Sequence, residues 1–262
     1  MELAGALGEI ARHTLKHDFR AIRPEEAQIL ILDGSPRVLP SYPEDLSRHA
    51  ETSLGGLGVR VRNGVMVVGV DRNGVTFRQH GSGEQRIATR TVLWAGAVAA
   101  GGFGRTLSAK TNAHTDKLGR LTVNPDLTIA GFPQIYVVGD LAAIQGPDGK
   151  PLPGVAQIAI QSGAYVASAI VQRLEGPRDL PPFRYFDRGD LAVIGRGAVA
   201  RIFGMHLWGL PAWLVWLFVH LVYLVQFQSL VVVFIRWGFQ YITFSRGARL
   251  ITECEPDPAR EK

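Results

Sequence analysis

Three short stretches combine residue types and spacings that could do chemistry. In the first, Gly139-Asp140 follows the apolar run at 135–138 and precedes a long helix-forming segment. A glycine at a strand end lets a ligand approach the backbone, and a carboxylate there accepts hydrogen bonds from sugar-like hydroxyls. The same aspartate could instead cap the short segment LAAI, and spacing leaves both readings open. In the second, Gln157 and Gln161 stand four residues apart, hence on one helix face near its N-terminal end, with the small Ala156 and Ala159 beside them. Neutral amides hydrogen-bond the carbonyls of a flat ring without adding charge; two solvent-facing glutamines on an ordinary first turn fit the spacing equally well. In the third, Asp33 ends the apolar run at 27–32, where dinucleotide-binding folds place the acidic residue for the ribose hydroxyls. The glycine fingerprint that should precede it by about 20 residues is not found. Gly5 and Gly8 do not supply it, and counting back puts it just before Met1, as if the chain were cut there.

Other chemistries lack a signal. His13 and His17 are four apart on the first helix but have no third ligand, so no metal site is expected. No G-x-S-x-G element, Walker loop or Ser/His/Asp constellation with local support occurs. Cys254 is the single cysteine, flanked by Glu253 and Glu255, so neither a disulfide nor a dithiol redox pair can form within these residues. The net charge of +5 is far from the dense basic stripe of a nucleic-acid binder, and no nucleic acid is expected as partner. No basic segment followed by an apolar run opens the chain, which predicts a cytoplasmic, reducing side.

The elements that must position these residues read as alternating helix and strand. Leu3, Leu7, Ile10, Ala11 and Leu15 recur at helical spacing and predict a helix over 3–17. The run at 27–32 predicts a buried strand, and Ser41 with Glu44 a capping box for a helix to about Leu57. From Val59, three β-rich runs separated by Asn63-Gly64 and by the turn residues 71–74 predict a small β-meander. TVLWA at 91–95 and IYVV at 135–138 predict two more buried strands, the second leading into Gly139-Asp140 and a helix over about 154–174. Alternating residues at 184–186 and 191–194 predict a hairpin. The chain divides at 1–88, 89–176 and 177–262.

Hydrophobic residues make up 47% of the 262 and charged ones 19%, and mean hydropathy is +0.10, the apolar edge of the soluble range. Much of this comes from one run: between Arg201 and Arg236 no Asp, Glu, Lys or Arg occurs. As one helix it would be roughly 50 Å long, beyond the ~30 Å hydrocarbon thickness of a bilayer. Pro211 and the patch at 226–229 divide it into two apolar helices. Trp208, Trp213, Trp216, Tyr223, Trp237 and Tyr241 suit the headgroup level, and Arg236, Arg246 and Arg249 can meet anionic lipid. The expectation is a hairpin lying on a membrane surface, ahead of a single span over 207–225 and of a buried hairpin within an oligomer.

Taken together, ELAGAL at 2–7, ILDGSPRVLPSYPEDL at 31–46, TVLWAGAV at 91–98, IYVVGDLA at 135–142, LPGVAQIAIQSG at 152–163 and YFDRGDLAVIGRGAVA at 185–200 resemble type II NADH dehydrogenase, the single-chain flavoprotein NADH:quinone oxidoreductase. The likeness covers nearly the whole chain, and its last three motifs are the specific ones. Disulfide reductases of the same superfamily carry a cysteine pair with no counterpart here. The resemblance implies an α/β fold, an incomplete two-dinucleotide-binding-domain flavoprotein of Rossmann-like pieces plus a β-meander, with a C-terminal membrane-associated helical region. It implies FAD and NADH as cofactors, and hydride transfer from NADH to FAD with electrons passing to a membrane quinone. Gly139 and Asp140 would hold the ribitol of FAD, and Gln157 and Gln161 would border the flavin ring and the quinone entrance. Asp33 stands where the family has the acidic residue for the NADH ribose, and Glu2 where it has a glutamate near the nicotinamide. The implied partners are membrane lipid, quinone and a second copy in a homodimer, and the implied place is the cytoplasmic face of the inner (plasma) membrane.

The chain departs from the family in two ways. The family usually reads Trp-Ala-Ala-Gly-Val where this chain has Trp94-Ala95-Gly96-Ala97-Val98, which shifts the flexible residue by one. Family members also begin with a complete FAD-binding Rossmann unit and the first strand and glycine loop of the NADH unit. Neither is found here, which implies an N-terminally truncated portion, inactive alone; a valine codon read as a start would account for Met1-Glu2 in place of the family's GVE. A non-catalytic, membrane-tethered fragment or binding module is the alternative.

Overall fold

The computed structural model of the chain describes residues 1–243 apart from 17, 80, 97–98, 177–180 and 223–226. His17, Tyr223, Arg246, Arg249 and Cys254 therefore lie outside the described residues. Two units emerge, Met1–Val92 with Gly189–Lys262, and Leu93–Arg188.

The first unit opens with α1 (Glu2–Glu9), whose Gly5 and Gly8 are buried. A Cβ at these positions would fall 2.9 Å from the Gly195 nitrogen and 2.8 Å from the Leu57 carbonyl oxygen, so the two glycines serve close packing. The regular helix expected to residue 17 instead becomes a π-helical turn at Ile10–Thr14. β1 (Ile29–Leu32) runs parallel to β2 (Val59–Arg62), with Ile29 opposite Val59, joined by α2 (Glu44–Gly56). The capping box is not made: Pro43 holds the cap position and α2 has no side-chain cap. The entry is shaped by Arg37, which donates to the carbonyls of Leu39, Pro40 and Tyr42 at 3.1, 2.9 and 2.7 Å. The meander is β3 (Val65–Asp71), β4 (Gly74–Gln79) and β5 (Glu84–Ala88), so the first of its three expected runs belongs to the parallel pair instead.

The second unit holds α3 (Gly102–Thr111), the short strands β6 (Leu121–Thr122), β7 (Thr128–Ile129), β8 (Phe132–Tyr136) and β9 (Ala142–Ala143), and the long α4 (Ala156–Glu175). β6 pairs parallel to β9 and β7 antiparallel to β8. Its core joins Leu121, Leu127, Ile129, Val137, Ala142, Ile144 and Ile158. Residues 91–96 form no strand: Trp94 is 69% exposed, and among the described strands none pairs with them. An apolar run without a ladder partner cannot satisfy its backbone as a strand.

The chain then returns to the first unit as an antiparallel sheet, β10 (Asp190–Ile194), β11 (Gly197–Ile202) and β12 (Met205–Trp208). The expected hairpin thus pairs 190–194 with 197–202, and residues 184–186 stay outside any sheet. Leu46, Ala50 and Leu54 of α2 pack fully buried with Ala192, Ile194 and Val199. α5 (Gly209–Val222) lies against the sheet through Ala198, Ala200 and Ala212, small residues that permit close approach, and α6 (Phe227–Thr243) follows. Trp216 of α5 stacks on Trp237 of α6 with ring centroids 5.2 Å apart. Of the single span expected over 207–225, the described residues form no continuous helix: the first belong to β12, and the fourteen residues of α5 extend about 21 Å. Among the described residues no helix is long and apolar enough to cross a membrane.

Candidate functional site

Gly139, Asp140, Gln157 and Gln161 all lie in the second unit, around the first two turns of α4. Gly139–Leu141 is a 3-10 turn at φ +62° for Gly139, a left-handed conformation that glycine adopts without a side-chain clash. The Gly139 N–H donates to Ser162 Oγ at 3.2 Å, and the Ser162 hydroxyl donates to the Ala159 carbonyl at 3.2 Å. The turn is thereby fastened to one face of α4. A Cβ on Gly139 would stand 3.3 Å from the Ala159 Cβ, and one on Gly154 would stand 3.4 Å from Asp140 Oδ1. Asp140 itself is exposed beside the glycine that leads into α4. A side-chain-free cradle with an exposed carboxylate at its lip fits the sugar-like part of a nucleotide cofactor, so the residues present are compatible with FAD.

The two glutamines do not face open solvent. Gln161 donates from Nε2 to the Phe186 carbonyl at 2.9 Å and accepts the Phe186 N–H at Oε1, also at 2.9 Å. Gln157 Oε1 accepts the Arg188 N–H at 3.3 Å and the Tyr185 hydroxyl at 3.5 Å. Residues 185–188 are therefore bound by side-chain amides rather than by a neighbouring strand, which is why the expected hairpin begins only at Asp190. The loop before α4 is braced from behind: Arg120 donates to Asp116 Oδ2 at 2.7 Å and to the Leu152 carbonyl at 2.9 Å. Burial opposes ionisation of Asp116, but hydrogen bonds from the Arg120 backbone and guanidinium hold its carboxyl below the usual range.

Glu2 and Asp33 belong to the first unit and sit in separate hydrogen-bond networks. Glu2 Oε1 accepts the Val193 N–H at 3.0 Å, tying the start of α1 to β10. Burial, reinforced by the carboxylates of Asp190 and Glu2, pushes the Tyr42 phenol up. Asp33 follows β1, where its N–H donates to the Arg62 carbonyl at 3.0 Å and its Oδ1 accepts the Ser35 N–H at 2.8 Å. Two cavities of about 510 and 230 Å³ open elsewhere in this unit, one lined by residues including Arg12, Glu25 and Arg60, the other by residues including His13, Leu57 and Arg196; neither touches the six predicted residues. Sequence reasoning missed Ser162 and Phe186. Ser162 had a usable signal, because it sits among small residues one turn past Ala159 on the face that receives Gly139; Phe186 had none.

A family model described as pyridine nucleotide-disulphide oxidoreductase matches residues 1–163. The chain belongs to that family. Among individual proteins, it is 40% identical over 256 residues to the type II NADH:quinone oxidoreductase Ndh of Mycobacterium tuberculosis, covering 97% of this chain and 54% of that protein. The type II NADH:quinone oxidoreductase NdhA of the same organism is 37% identical over 257 residues, covering 96% and 54%. The fold matches NDH2 from Plasmodium falciparum, solved in complex with NADH, with a TM-score of 0.80 at 17% identity over 94% of this chain and 64% of that one. The chain spans about half the length of the curated relatives it matches.

Proposed function

We propose that the chain serves NADH:quinone oxidoreduction with FAD as its cofactor. The observation that carries this reading is the left-handed Gly139-Asp140 turn fastened to α4 by Ser162, with Gln157 and Gln161 on the turns beside it. When bound, FAD supplies the chemistry, accepting hydride from NADH and passing electrons to the quinone. The chain's residues bind and orient. Gly139 lets the cofactor approach the backbone, and Asp140 accepts hydrogen bonds from its ribitol hydroxyls. Gln157 and Gln161 hold the wall that borders the flavin ring and the quinone entrance. Asp33 accepts from the ribose of NADH, and Glu2 stands near the nicotinamide. The similarity to type II NADH:quinone oxidoreductases over 97% of the chain supports the same assignment.

The apolar α5–α6 hairpin docks on a bilayer surface at the cytoplasmic face of the inner membrane, where the quinone resides. Leu210, Leu214, Phe218 and Val222 recur every fourth residue along α5 and are all exposed, as are Val232, Ile235 and Phe239 of α6. Such stripes suit insertion at the headgroup–acyl boundary. The other partner in this reading is a second copy, as a homodimer. The glycine-rich loops that cradle the cofactor pyrophosphates are not among these 262 residues. This portion alone is therefore expected to hold FAD weakly and to turn over little.

Flavin fluorescence titrated with the 262-residue chain tests the reading. Saturable quenching that Asp140→Ala weakens by on the order of tenfold, the loss of a charge-assisted hydrogen bond, is expected. Protein that never quenches FAD at any concentration reached would point to the non-catalytic, membrane-tethered module instead.

A further inference from the structure

Gln161 meets Phe186 as a neighbouring strand would, giving a donor to its carbonyl and an acceptor to its N–H, both at 2.9 Å. One turn back, Gln157 meets the backbone two residues further along, at Arg188. The spacings match physically: four residues of helix advance about 6 Å, and two residues of extended chain about 6.6 Å. Two amides four apart on a helix can thus read alternate residues of an extended segment laid antiparallel to it. At neutral pH a primary amide offers an uncharged donor and acceptor in one plane at that reach. Tyr185 turns into the core of the unit, whereas Phe186 is 60% exposed although its backbone is pinned on both polar groups. Ile160, beside Gln161 on the helix, is 53% exposed. The Phe186 ring is thus exposed on a backbone held in place at both polar groups, so it can meet a flat apolar partner without reordering the chain.

We propose that Gln161 is a positioning residue that never touches the acceptor: its amide clamps the backbone at Phe186, and the Phe186 ring is the surface against which the quinone ring lies. This rests on the quinone reading above and gives the glutamine motif a different part in it.

The test follows the 262-residue chain and its Gln161→Ala, Gln161→Glu and Phe186→Ala variants by hydrogen exchange, and by calorimetric titration with a short-chain benzoquinone in excess FAD. Gln161→Ala is expected to lower protection of the Phe186 amide by on the order of tenfold. Gln161→Glu should lose only part of that protection at neutral pH, where the carboxylate still accepts the Phe186 N–H but sets an acceptor against the Phe186 carbonyl, and should regain it below the ordinary glutamate pKa of about 4.3, where a protonated carboxyl again donates to that carbonyl. A residue that merely packs would show no such recovery. Gln161→Ala and Phe186→Ala should weaken the quinone to a similar degree. Unchanged protection in Gln161→Ala overturns the clamp. Lost affinity in Gln161→Ala with none lost in Phe186→Ala overturns the division of roles, since the amide would then touch the acceptor itself. Failure of the unmutated chain to bind the benzoquinone overturns the quinone reading and the role of the Phe186 ring with it, while the exchange results still decide the clamp.

Discussion

Replacing Gly139 by alanine tests whether the turn and α4 form one rigid cradle. At φ +62° an L-residue with a Cβ is strained by about 1 kcal/mol. The new methyl would also stand 3.3 Å from the Ala159 Cβ, tighter than an ordinary contact, with the Ala159 Cα only 3.7 Å away. That neighbour is fixed to a helix backbone, so the turn must retreat, and retreat stretches the 3.2 Å hydrogen bond to Ser162, a loss of about 0.5–1.5 kcal/mol. Together Gly139→Ala should cost about 1.5–2.5 kcal/mol in urea unfolding followed by circular dichroism, and should weaken FAD binding in parallel. Gly139→Asn separates the contributions, because asparagine tolerates the left-handed region while keeping a Cβ. It should recover part of the stability and little of the FAD affinity. A Gly139→Ala variant within about 0.5 kcal/mol of the unmutated chain would refute the reasoning, because surface substitutions of no structural consequence fall in that range.

On the meander, the hydrogen bond from the Arg86 side chain, supported by the Asn73 N–H, holds the Asp71 carboxyl down at about 2. A depressed carboxylate contributes stability that is present above its ordinary 3.8 and is lost as pH falls toward about 2. Carboxyl NMR should therefore find Asp71 titrating near 2, and Arg86→Ala should move it back toward the ordinary value; no movement would mean the pair is not formed in solution. On the C-terminal hairpin, Leu214→Glu with Phe218→Glu places charge in the exposed α5 stripe and should abolish sedimentation with anionic vesicles while leaving the unfolding midpoint nearly unchanged, since both side chains are more than half exposed. Vesicle binding that survives the double substitution would locate the membrane contact elsewhere.

Where periodicity and turn chemistry acted locally, the fold was legible. The four apolar residues of β1 and the glycine turns of the meander each specify their own element, whereas α2 forms near its expected place without the capping box that suggested it. Errors arose where one backbone group had two candidate partners. Residues 91–95 have the composition of a buried strand, yet strand formation needs a second strand, and among the described residues none comes alongside. Val59–Arg62 has meander-like alternation, but Ile29–Leu32 offers it a parallel ladder that is buried on the α2 side. Ser41 and Glu44 have capping-box spacing, while the guanidinium of Arg37 had already gathered the carbonyls that fix the entry to α2. None of these competitions is visible in a window of neighbouring residues.

The same contrast runs through the candidate site. Gly139-Asp140 announced itself because the strand-to-turn transition is local, and its φ is what glycine at that point suggests. The glutamine pair announced its helix face but not its partner, because the partner lies 25 residues downstream and is backbone, which carries no sequence signal. That has a consequence for reading the motif. If side-chain amides hold a main chain in place, the glutamines look like ligand contacts although the ring they position makes the contact. The exchange of a single amide proton, at Phe186, separates these two explanations of the same pair of residues.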